Sequence, residues 1–244
     1  MSTSDTYSTY AEICSRFYDL TLDSRAVGDF VVAKARASAG NRVLFVGGMF
    51  QVAAQLQSKG LELTAVDNTD EMVAVGTKQL SSSRVLKADL RSLPFDNEFD
   101  IVFVVGRVFT HMTTDEDLTQ ALASCRRALT NSGKLFADNY QDTRIQITNY
   151  FNGRISVGDE RSKIVRDSTT ERMSESPCVV TWRAEYSGEL EGSPFRFSDS
   201  IEHRAFSREE FSRYLSTAGF RVEEQGDNFD ETSFYSLATK LAYS

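Results

Sequence analysis

Two glycines and two aspartates stand where short apolar runs of this chain end. Gly47 and Gly48 end the first run, and Asp67 and Asp89 close the next two. Adjacent glycines let a ligand approach the backbone at the start of a helix, and carboxylates accept hydrogen bonds from ribose hydroxyls or an adenine amine. The set therefore predicts a nucleoside site, although a lone Asp more often only caps a loop or a helix.

Three further residues carry groups that can take a proton or orient an amine. His111 lies shortly after Gly106, where the fourth apolar run ends, and Asn139 and Tyr140 stand at the end of the fifth. An imidazole can act as a general base, whereas an amide and a phenol can hold an amine without adding net charge. These positions predict an acceptor side of the same site. The alternatives are a packing histidine and a loop-capping asparagine.

The other reactive side chains favour no second site. Arg107 directly follows a core run, so it either pairs with a ligand carboxylate or lies in solvent. His203 stands in an alternating stretch, which predicts a residue on the surface of a sheet. Cys14, Cys125 and Cys178 are far apart and lack CxxC spacing, so we predict a reducing compartment and no metal site or thiol nucleophile.

The elements that must position these residues alternate along the first part of the chain. The predicted strands are 42–47, 61–67, 84–89, 99–106 and 134–140, and the predicted helices are 50–60, 69–80 and 114–133. Short helical crossovers between such strands are typical of a parallel sheet that is wound on both faces. A sheet of this kind binds its ligand outside the carboxyl ends of its strands, where the glycines and aspartates fall.

The rest of the chain adds an insertion and a closing unit. Residues 141–205 alternate like antiparallel strands, 206–220 is a helix capped by Ser207, and 221–225 and 232–240 are two closing strands. We therefore predict a single domain over 1–244 with an α/β fold. Its doubly wound, mostly parallel seven-stranded sheet carries a small antiparallel β insertion that covers the site, and residues 1–40 form a helical lid.

Composition excludes several classes of protein. The 244 residues include 27 Lys and Arg against 35 Asp and Glu, a net charge of −8 without a long basic run, which argues against a nucleic-acid partner. No apolar stretch approaches the roughly 18 residues that span a bilayer, and the start lacks the pattern of a signal peptide. We expect a cytoplasmic protein, monomer or homodimer, that acts on a small molecule away from membranes.

The chain resembles the class I S-adenosylmethionine-dependent methyltransferases, and among them the small-molecule enzymes of bacterial secondary metabolism. The segments that carry the resemblance are VLFVGG (43–48), TAVD (64–67), ADLRSLPF (88–95), FDIVFVVGRVFTHM (99–112), SGKLFAD (132–138) and FSREEFSRYLSTAGFRV (206–222). The resemblance covers almost the whole chain. It implies a Rossmann-like methyltransferase fold and S-adenosylmethionine as the cofactor.

The resemblance also implies a role for each matching residue. Asp67 would hold the ribose, Asp89 with Leu90 would frame the adenine, and Met72 would pack on its ring. Segment 17–19, with Tyr7 and Tyr10, would fold over the cofactor as a lid. The predicted cofactor-binding residues are Tyr18, Gly47, Gly48, Asp67, Met72, Asp89, Leu90 and Gly106, and the predicted catalytic residues are His111, Asn139 and Tyr140.

One part of the first motif departs from the family pattern. The family usually has an acid at the position of Phe45 and glycines at those of Met49 and Gln51, but this chain reads FVGGMFQ. Side chains therefore stand where the backbone normally meets the methionine part of the cofactor. Either the pocket is reshaped, or the cofactor is held differently, or it is not bound, and we expect the methionyl end of the site to differ most from the family.

Three functions fit these observations. The first is transfer of a methyl group to a small metabolite, in which the donor is already activated and orientation supplies most of the acceleration. In the second, S-adenosylmethionine is itself the substrate: its amino nitrogen attacks its γ-carbon, which releases methylthioadenosine and forms azetidine-2-carboxylate. The third is a non-catalytic module that binds a ligand or a partner.

Overall fold

Two sheets and six helices organise the residues that the computed structural model describes, which are 6–35, 40–80, 82–147 and 150–242. The helices are α1 Ala11–Thr21, α2 Ser24–Ala35, α3 Phe50–Ser58, α4 Asp70–Gln79, α5 Asp115–Ala128 and α6 Arg208–Thr217. The strands are β1 Arg42–Val46, β2 Glu62–Asp67, β3 Arg84–Lys87, β4 Phe99–Val104, β5 Leu129–Tyr140, β6 Gly153–Gly158, β7 Ser162–Glu175, β8 Cys178–Leu190, β9 Ser193–Ala205, β10 Phe220–Asp227 and β11 Ser233–Lys240.

The larger sheet has the strand order β10-β11-β5-β4-β1-β2-β3. Strands β1 to β5 pair in parallel, and β11 runs antiparallel to both of its neighbours. Apolar clusters cover both faces, one beneath α5 and α6 and the other beneath α2, α3 and α4. Burial on both faces explains why β1 and β4 read as continuous apolar runs. The predicted doubly wound, mostly parallel α/β sheet of seven strands is confirmed.

Three helices begin at the N-cap residues that the sequence predicts, and two end close to the predicted glycines. The side chains of Thr69, Thr114 and Ser207 each accept a hydrogen bond from the backbone N–H three residues later, so each is an N-cap. Gly60 and Gly219 lie beyond the ends of α3 and α6 with φ of +85° and +81°, a region that favours glycine.

One predicted boundary is wrong. The sequence predicts a helix over 114–133, but α5 ends at Ala128 and β5 starts at Leu129. Leu129 pairs with Phe99 in the parallel ladder, and the N–H of Glu98 donates to the carbonyl of Ala128 at 3.0 Å. Pairing with β4 therefore extends the strand, and helix propensity in 129–133 does not decide the structure.

The predicted antiparallel insertion is confirmed, and the structure shows that it is a four-stranded sheet in the order β6-β7-β8-β9. Its inner face packs with Ile13 and Phe17 of α1 in a third apolar cluster. The insertion leaves and rejoins the larger sheet at one place. There the N–H of Phe206 donates to the carbonyl of Tyr140 at 2.9 Å, and the N–H of Asp142 donates to the carbonyl of Phe206 at 3.1 Å.

Within the described residues, no helix has both the length and the apolar character that crossing a membrane requires.

Candidate functional site

A cleft opens at the carboxyl ends of β1, β2 and β4, beneath α1 and the second sheet. Its lining includes Tyr7, Tyr18, Gly47, Gly48, Met49, Asp67, Thr69, Met72, Asp89, Leu90, Gly106, His111, Met112 and Ile201. Every residue predicted to bind the cofactor lies in this lining, together with His111. Whether these residues perform the predicted roles stays a prediction, but the structure brings them to one place.

The backbone of the first turn needs glycine. Gly47 has φ of +112°, and a Cβ there would lie 3.0 Å from the carbonyl oxygen of Val105 and 2.8 Å from a methyl carbon of Val108. The turn after β1 therefore passes closely beside the end of β4. A side chain at this position would clash with the backbone of Val105, so glycine is required where the turn borders the cleft.

Asp67 presents one carboxylate oxygen to the cleft. Its Oδ1 accepts from the N–H of Thr69 at 3.0 Å, which fixes the carboxyl group. Its Oδ2 faces Gly48, 3.7 Å from where a Cβ on that glycine would be. Burial raises the pKa of Asp67 above its ordinary value. A half-buried acceptor that lines the cleft suits a neutral donor such as a hydroxyl.

Asp89 is held by an arginine. Both carboxylate oxygens accept from Arg91, at 2.6 Å from Nη2 to Oδ2 and 3.0 Å from Nε to Oδ1. The hydrogen bond from Arg91 lowers the pKa of Asp89, so this carboxyl stays ionised. Arg91 also pairs with Asp117 on α5 at 2.7 Å, which anchors the arrangement to the helix layer. Asp89 is therefore a rigid but already partnered acceptor.

The departures from the family motif have distinct positions. Phe45 is fully buried in the core, and Met49 lies against Gly106, with its Sδ 2.9 Å from where a Cβ on Gly106 would be. Gln51 is exposed, and its Nε2 donates to Asp19 of α1 at 3.1 Å. A smaller cavity that includes Asp19 and Gln51 shares Tyr18, Gly48 and Met49 with the main cleft.

Arg107 is neither free for a ligand nor solvated. It is only 4% exposed, and its Nη2 donates to Asp230 at 2.5 Å, so the two predicted alternatives are both wrong. Although burial opposes the charge, Asp230 holds the pKa of Arg107 above its ordinary value. Asp138, also buried, accepts from the N–H groups of Gly106 and Arg107 at 3.0 and 2.8 Å. Burial raises the pKa of Asp138 to about 6.

His111 lines the cleft, and His203 lies beside it. Their ring centroids are 5.0 Å apart, and His203 Nδ1 lies 3.2 Å from Thr110 Oγ1. The prediction that His203 lies on a sheet surface is wrong, because it shares the inward face of β9 with Ile201 and Ala205. Ile201, His203 and Ala205 are spaced two residues apart, and in a strand this spacing predicts that all three side chains lie on the same, apolar face.

Both imidazoles are kept neutral by burial. Desolvation lowers the pKa of His111 to about 4 and that of His203 well below its ordinary value. No carboxylate raises either value, so each ring stays uncharged near neutral pH and can accept a hydrogen bond there. An acceptor amine held beside His111 would meet an uncharged base.

A pH titration checks these neutral histidines, since the chain contains only two. We expect neither ring proton signal in an NMR titration to show a midpoint near 6.5. Because the folded pKa values are depressed, the unfolded chain takes up protons first as pH falls. The free energy of unfolding should therefore drop by about 1.4 kcal/mol for each neutral histidine between roughly pH 7.5 and 5.5. His203→Asn should remove the contribution of one histidine to this loss of free energy. A His203 midpoint near pH 6.5 would contradict a neutral, buried His203.

The structure separates the two residues that the sequence groups at the end of β5. Successive strand residues point to opposite faces, and Phe136 and Ala137 belong to the clusters on the two different sides of the sheet. Tyr140 accordingly faces the second sheet, where its ring lies 4.6 Å from Phe151. Asn139 is fully buried, and neither polar atom of its side chain has a partner among the described residues. Neither residue lines the cleft, and their catalytic roles stay predictions.

Sequence reasoning missed the lining that the second sheet supplies. Ile201 reaches the cleft from β9, and Thr69 and Met112 complete the wall on the other side. The aromatic residues of the insertion mostly belong to the third apolar cluster. Among the described residues there is no group of three or more His, Cys, Asp or Glu side chains that could hold a metal ion.

The fold and the cleft define a Rossmann-like protein that binds its ligand at the carboxyl edge of a mostly parallel sheet. Residues 46–137 match the family described as "Methyltransferase domain". A putative methyltransferase of Bacillus subtilis (strain 168), YqeM, is 24% identical over 212 residues, which cover 80% of this chain and 79% of that protein. The predicted resemblance to the class I S-adenosylmethionine-dependent methyltransferases is confirmed, and S-adenosylmethionine is the cofactor of that family.

Solved structures share the whole fold. DesVI from Streptomyces venezuelae superposes with a TM-score of 0.81 at 17% identity, over 96% of this chain and 98% of that one. SAM-bound CalS10, an amino pentose methyltransferase from Micromonospora echinaspora involved in calicheamicin biosynthesis, gives a TM-score of 0.77 at 18% identity, over 95% and 96% of the two chains. At this identity the likeness concerns the fold.

Proposed function

We propose that this protein transfers a methyl group from S-adenosylmethionine to an amine of a small metabolite. The observation that carries the proposal is the common cleft: the adenosyl-side residues and a neutral histidine face one space at the edge of the sheet. The neighbour CalS10 acts on an amino pentose, which supports a small amine-bearing acceptor.

Each wall of the cleft has a task in this proposal. Asp67 Oδ2 accepts from the ribose hydroxyls, and Asp89 and Leu90 border the adenine. When bound, S-adenosylmethionine supplies an activated methyl group for an in-line displacement. The protein then has to orient the acceptor and remove its proton. His111 is the base, and His203 lies behind it, hydrogen-bonded to Thr110.

The amino-terminal helix acts as the lid. Tyr10 stacks on Phe197 of the second sheet with ring centroids 3.8 Å apart, and Arg16 Nε donates to Ser162 at 3.1 Å. On the opposite side, Glu12 pairs with Lys78 of α4 at 2.7 Å. The helix therefore bridges both walls of the cleft and excludes water from the bound cofactor.

Product analysis tests the proposal against its two rivals. The purified protein is incubated with S-adenosylmethionine alone and with a panel of amines that includes glycine, sarcosine and glucosamine. We expect adenosylhomocysteine to form only when an acceptor is present. Methylthioadenosine released without an acceptor would instead favour cyclisation, an activity that neither the family match nor the similar proteins support. A protein that gives no thermal shift with S-adenosylmethionine or adenosylhomocysteine would be a non-catalytic module.

The methionyl end of the cofactor carries an ammonium group that needs an acid. Asp19 is the one carboxylate in the described lining of the smaller cavity, and Gln51 Nε2 donates one N–H to it, which leaves the second N–H for the cofactor carboxylate. We therefore assign Asp19 to the ammonium group, in place of the acid that Phe45 replaces. Burial raises the pKa of this carboxyl, which indicates a site partly shielded from solvent.

Calorimetry with two ligands checks Asp19. We expect Asp19→Asn to weaken adenosylhomocysteine binding by about tenfold, the loss of one charge-assisted hydrogen bond at a partly exposed site. Binding of methylthioadenosine, which lacks the amino acid group, should not change. Equal weakening of both ligands would mean that the substitution disturbs α1 and that Asp19 does not contact the ammonium group.

The predicted cytoplasmic location and the predicted monomer or homodimer stay predictions.

A further inference from the structure

Arg166 on β7 is a buried cation without an anionic partner. It is 1% exposed and shares the inward face of the second sheet with Ile164 and Ser168. Among the described residues no carboxylate forms an ion pair with it. The charged or titratable neighbours that act on its guanidinium are the phenols Tyr18, Tyr150 and Tyr186 and the thiol of Cys14.

The hydrogen bonds of Arg166 are also incomplete. Its Nη2 donates to the backbone carbonyl of Tyr150 at 2.7 Å and the Tyr150 phenol is a further hydrogen-bond partner of the guanidinium, but Nε has no acceptor among the described residues. The indole Nε1 of Trp182 is buried and unpartnered as well, and that ring lies 5.2 Å from the guanidinium carbon. Two neighbouring donors therefore lack an acceptor, and buried polar groups of this kind normally have one.

Packing compensates only part of this charge. The guanidinium lies 4.4 Å from the ring centroid of Tyr150 and 4.9 Å from that of Phe17. Cation–π contacts of this kind stabilise an arginine but fill none of its donor positions. A buried charge without a carboxylate partner is unfavourable, so the free donor positions of this guanidinium suit an anion.

The position of Arg166 relates it to the reacting end of the cleft. Trp182 contacts His203 at 6.2 Å between centroids, and His203 contacts His111 at 5.0 Å. Arg166 is thus linked to the proposed base through two aromatic contacts. Phe17 of the lid helix covers its other side, so an acceptor would reach the arginine when the lid lifts.

We propose that Arg166 binds an anionic group of the methyl acceptor, a carboxylate or a phosphate, and that the substrate class is therefore an amine that also carries such a group. This inference rests on the proposed function, because it assumes an acceptor between the lid and the second sheet. Arg166 holds the anion with its planar fork of donors, Trp182 Nε1 adds a further donor, and the amine lies toward His111.

Trp182 offers a direct test, since it is the single tryptophan of the chain. Its fluorescence is followed while acetate or inorganic phosphate replaces chloride at constant ionic strength, with and without adenosylhomocysteine. We expect a saturable change with one of the two anions. Saturation by acetate identifies a carboxylate acceptor, and saturation by phosphate a phosphorylated one. No saturable change with either anion overturns the proposal.

Matched variants separate the arginine from general effects. Arg166→Met should abolish the saturable change, and Arg166→Lys, which keeps the charge but loses the fork, should weaken it by about tenfold. Arg183→Met is the control, because Arg183 adjoins Trp182 but is exposed and pairs with Glu171 on the outer face. If circular dichroism shows that Arg166→Met does not fold, Arg166→Lys becomes the test. An unchanged fluorescence response to the anions in Arg166→Lys would then overturn the proposal.

A separate measurement of cofactor binding distinguishes failure of this inference from failure of the proposed function. Failure of the proposed function would appear as no thermal shift with S-adenosylmethionine, whatever the anions do. Failure of this inference would leave cofactor binding intact and the fluorescence of Trp182 insensitive to both anions.

Discussion

Asp67→Ala should weaken the binding of S-adenosylmethionine and adenosylhomocysteine by about a hundredfold. The substitution removes the half-buried carboxylate that the proposed function assigns to the ribose hydroxyls, and hydrogen bonds to a charged acceptor contribute about 1.5–3 kcal/mol each. The room in front of Oδ2, bounded by Gly48, is where those hydroxyls would lie. Isothermal titration calorimetry measures the loss directly, with Asp67→Asn as the variant that keeps an acceptor oxygen but removes the charge.

A second substitution isolates the structural share of that effect. Asp67 also accepts from the N–H of Thr69, whose own side chain caps α4 by accepting from Met72 N at 3.2 Å. Thr69→Ala should therefore lower the free energy of unfolding by about 1 kcal/mol with a much smaller change in affinity. Asp89→Ala should cost less affinity than Asp67→Ala, because Asp89 is already bonded to Arg91. An unchanged dissociation constant in Asp67→Ala would refute the placement of the ribose.

Arg107→Met should lower the free energy of unfolding by about 3–5 kcal/mol, since removing one member of a buried ion pair leaves the other charge uncompensated. The carboxylate left without its partner is that of Asp230. The Arg107 guanidinium also lies 5.5 Å from the ring centroids of Tyr140 and Phe229, and these contacts would be lost as well. Urea denaturation followed by circular dichroism gives the value. We expect unfolding at lower urea without a change in the slope of the transition.

The partner of the pair supplies the control. Asp230→Asn alone should also destabilise, but the double variant should be more stable than the sum of the two single losses implies, because no charge is then left alone. Strictly additive losses would show that Arg107 stabilises the fold by packing alone. Arg107→Lys keeps the charge and should retain part of the stability.

The sequence predicts the larger sheet and its ligand edge well, because the signals there are local. Apolar runs define β1 and β4, and caps such as Thr69 and Gly219 define helix ends, so the order of elements follows from residues close in the chain. The rule that ligands bind at the carboxyl ends of parallel strands then brings Asp67 and Asp89 together without any knowledge of packing.

What the sequence could not predict depends on distant contacts. Arg107 pairs with Asp230, 123 positions later in the chain, and no local pattern indicates such a pair. His203 lies against His111 because the second sheet folds back over the first. Alternation along β7 and β9 would have assigned Arg166 and His203 to inward faces, yet it cannot say what each face covers.

The place where the second sheet branches from the first has a consequence for engineering. Phe206 is hydrogen-bonded to Tyr140 and to Asp142. The two ends of the inserted segment are therefore adjacent at the carboxyl edge of the larger sheet. A cassette with matching ends could replace it without altering β5 or α6. Under the proposed function, transplanting this segment between relatives is expected to change acceptor preference and to leave the cofactor side of the cleft unchanged.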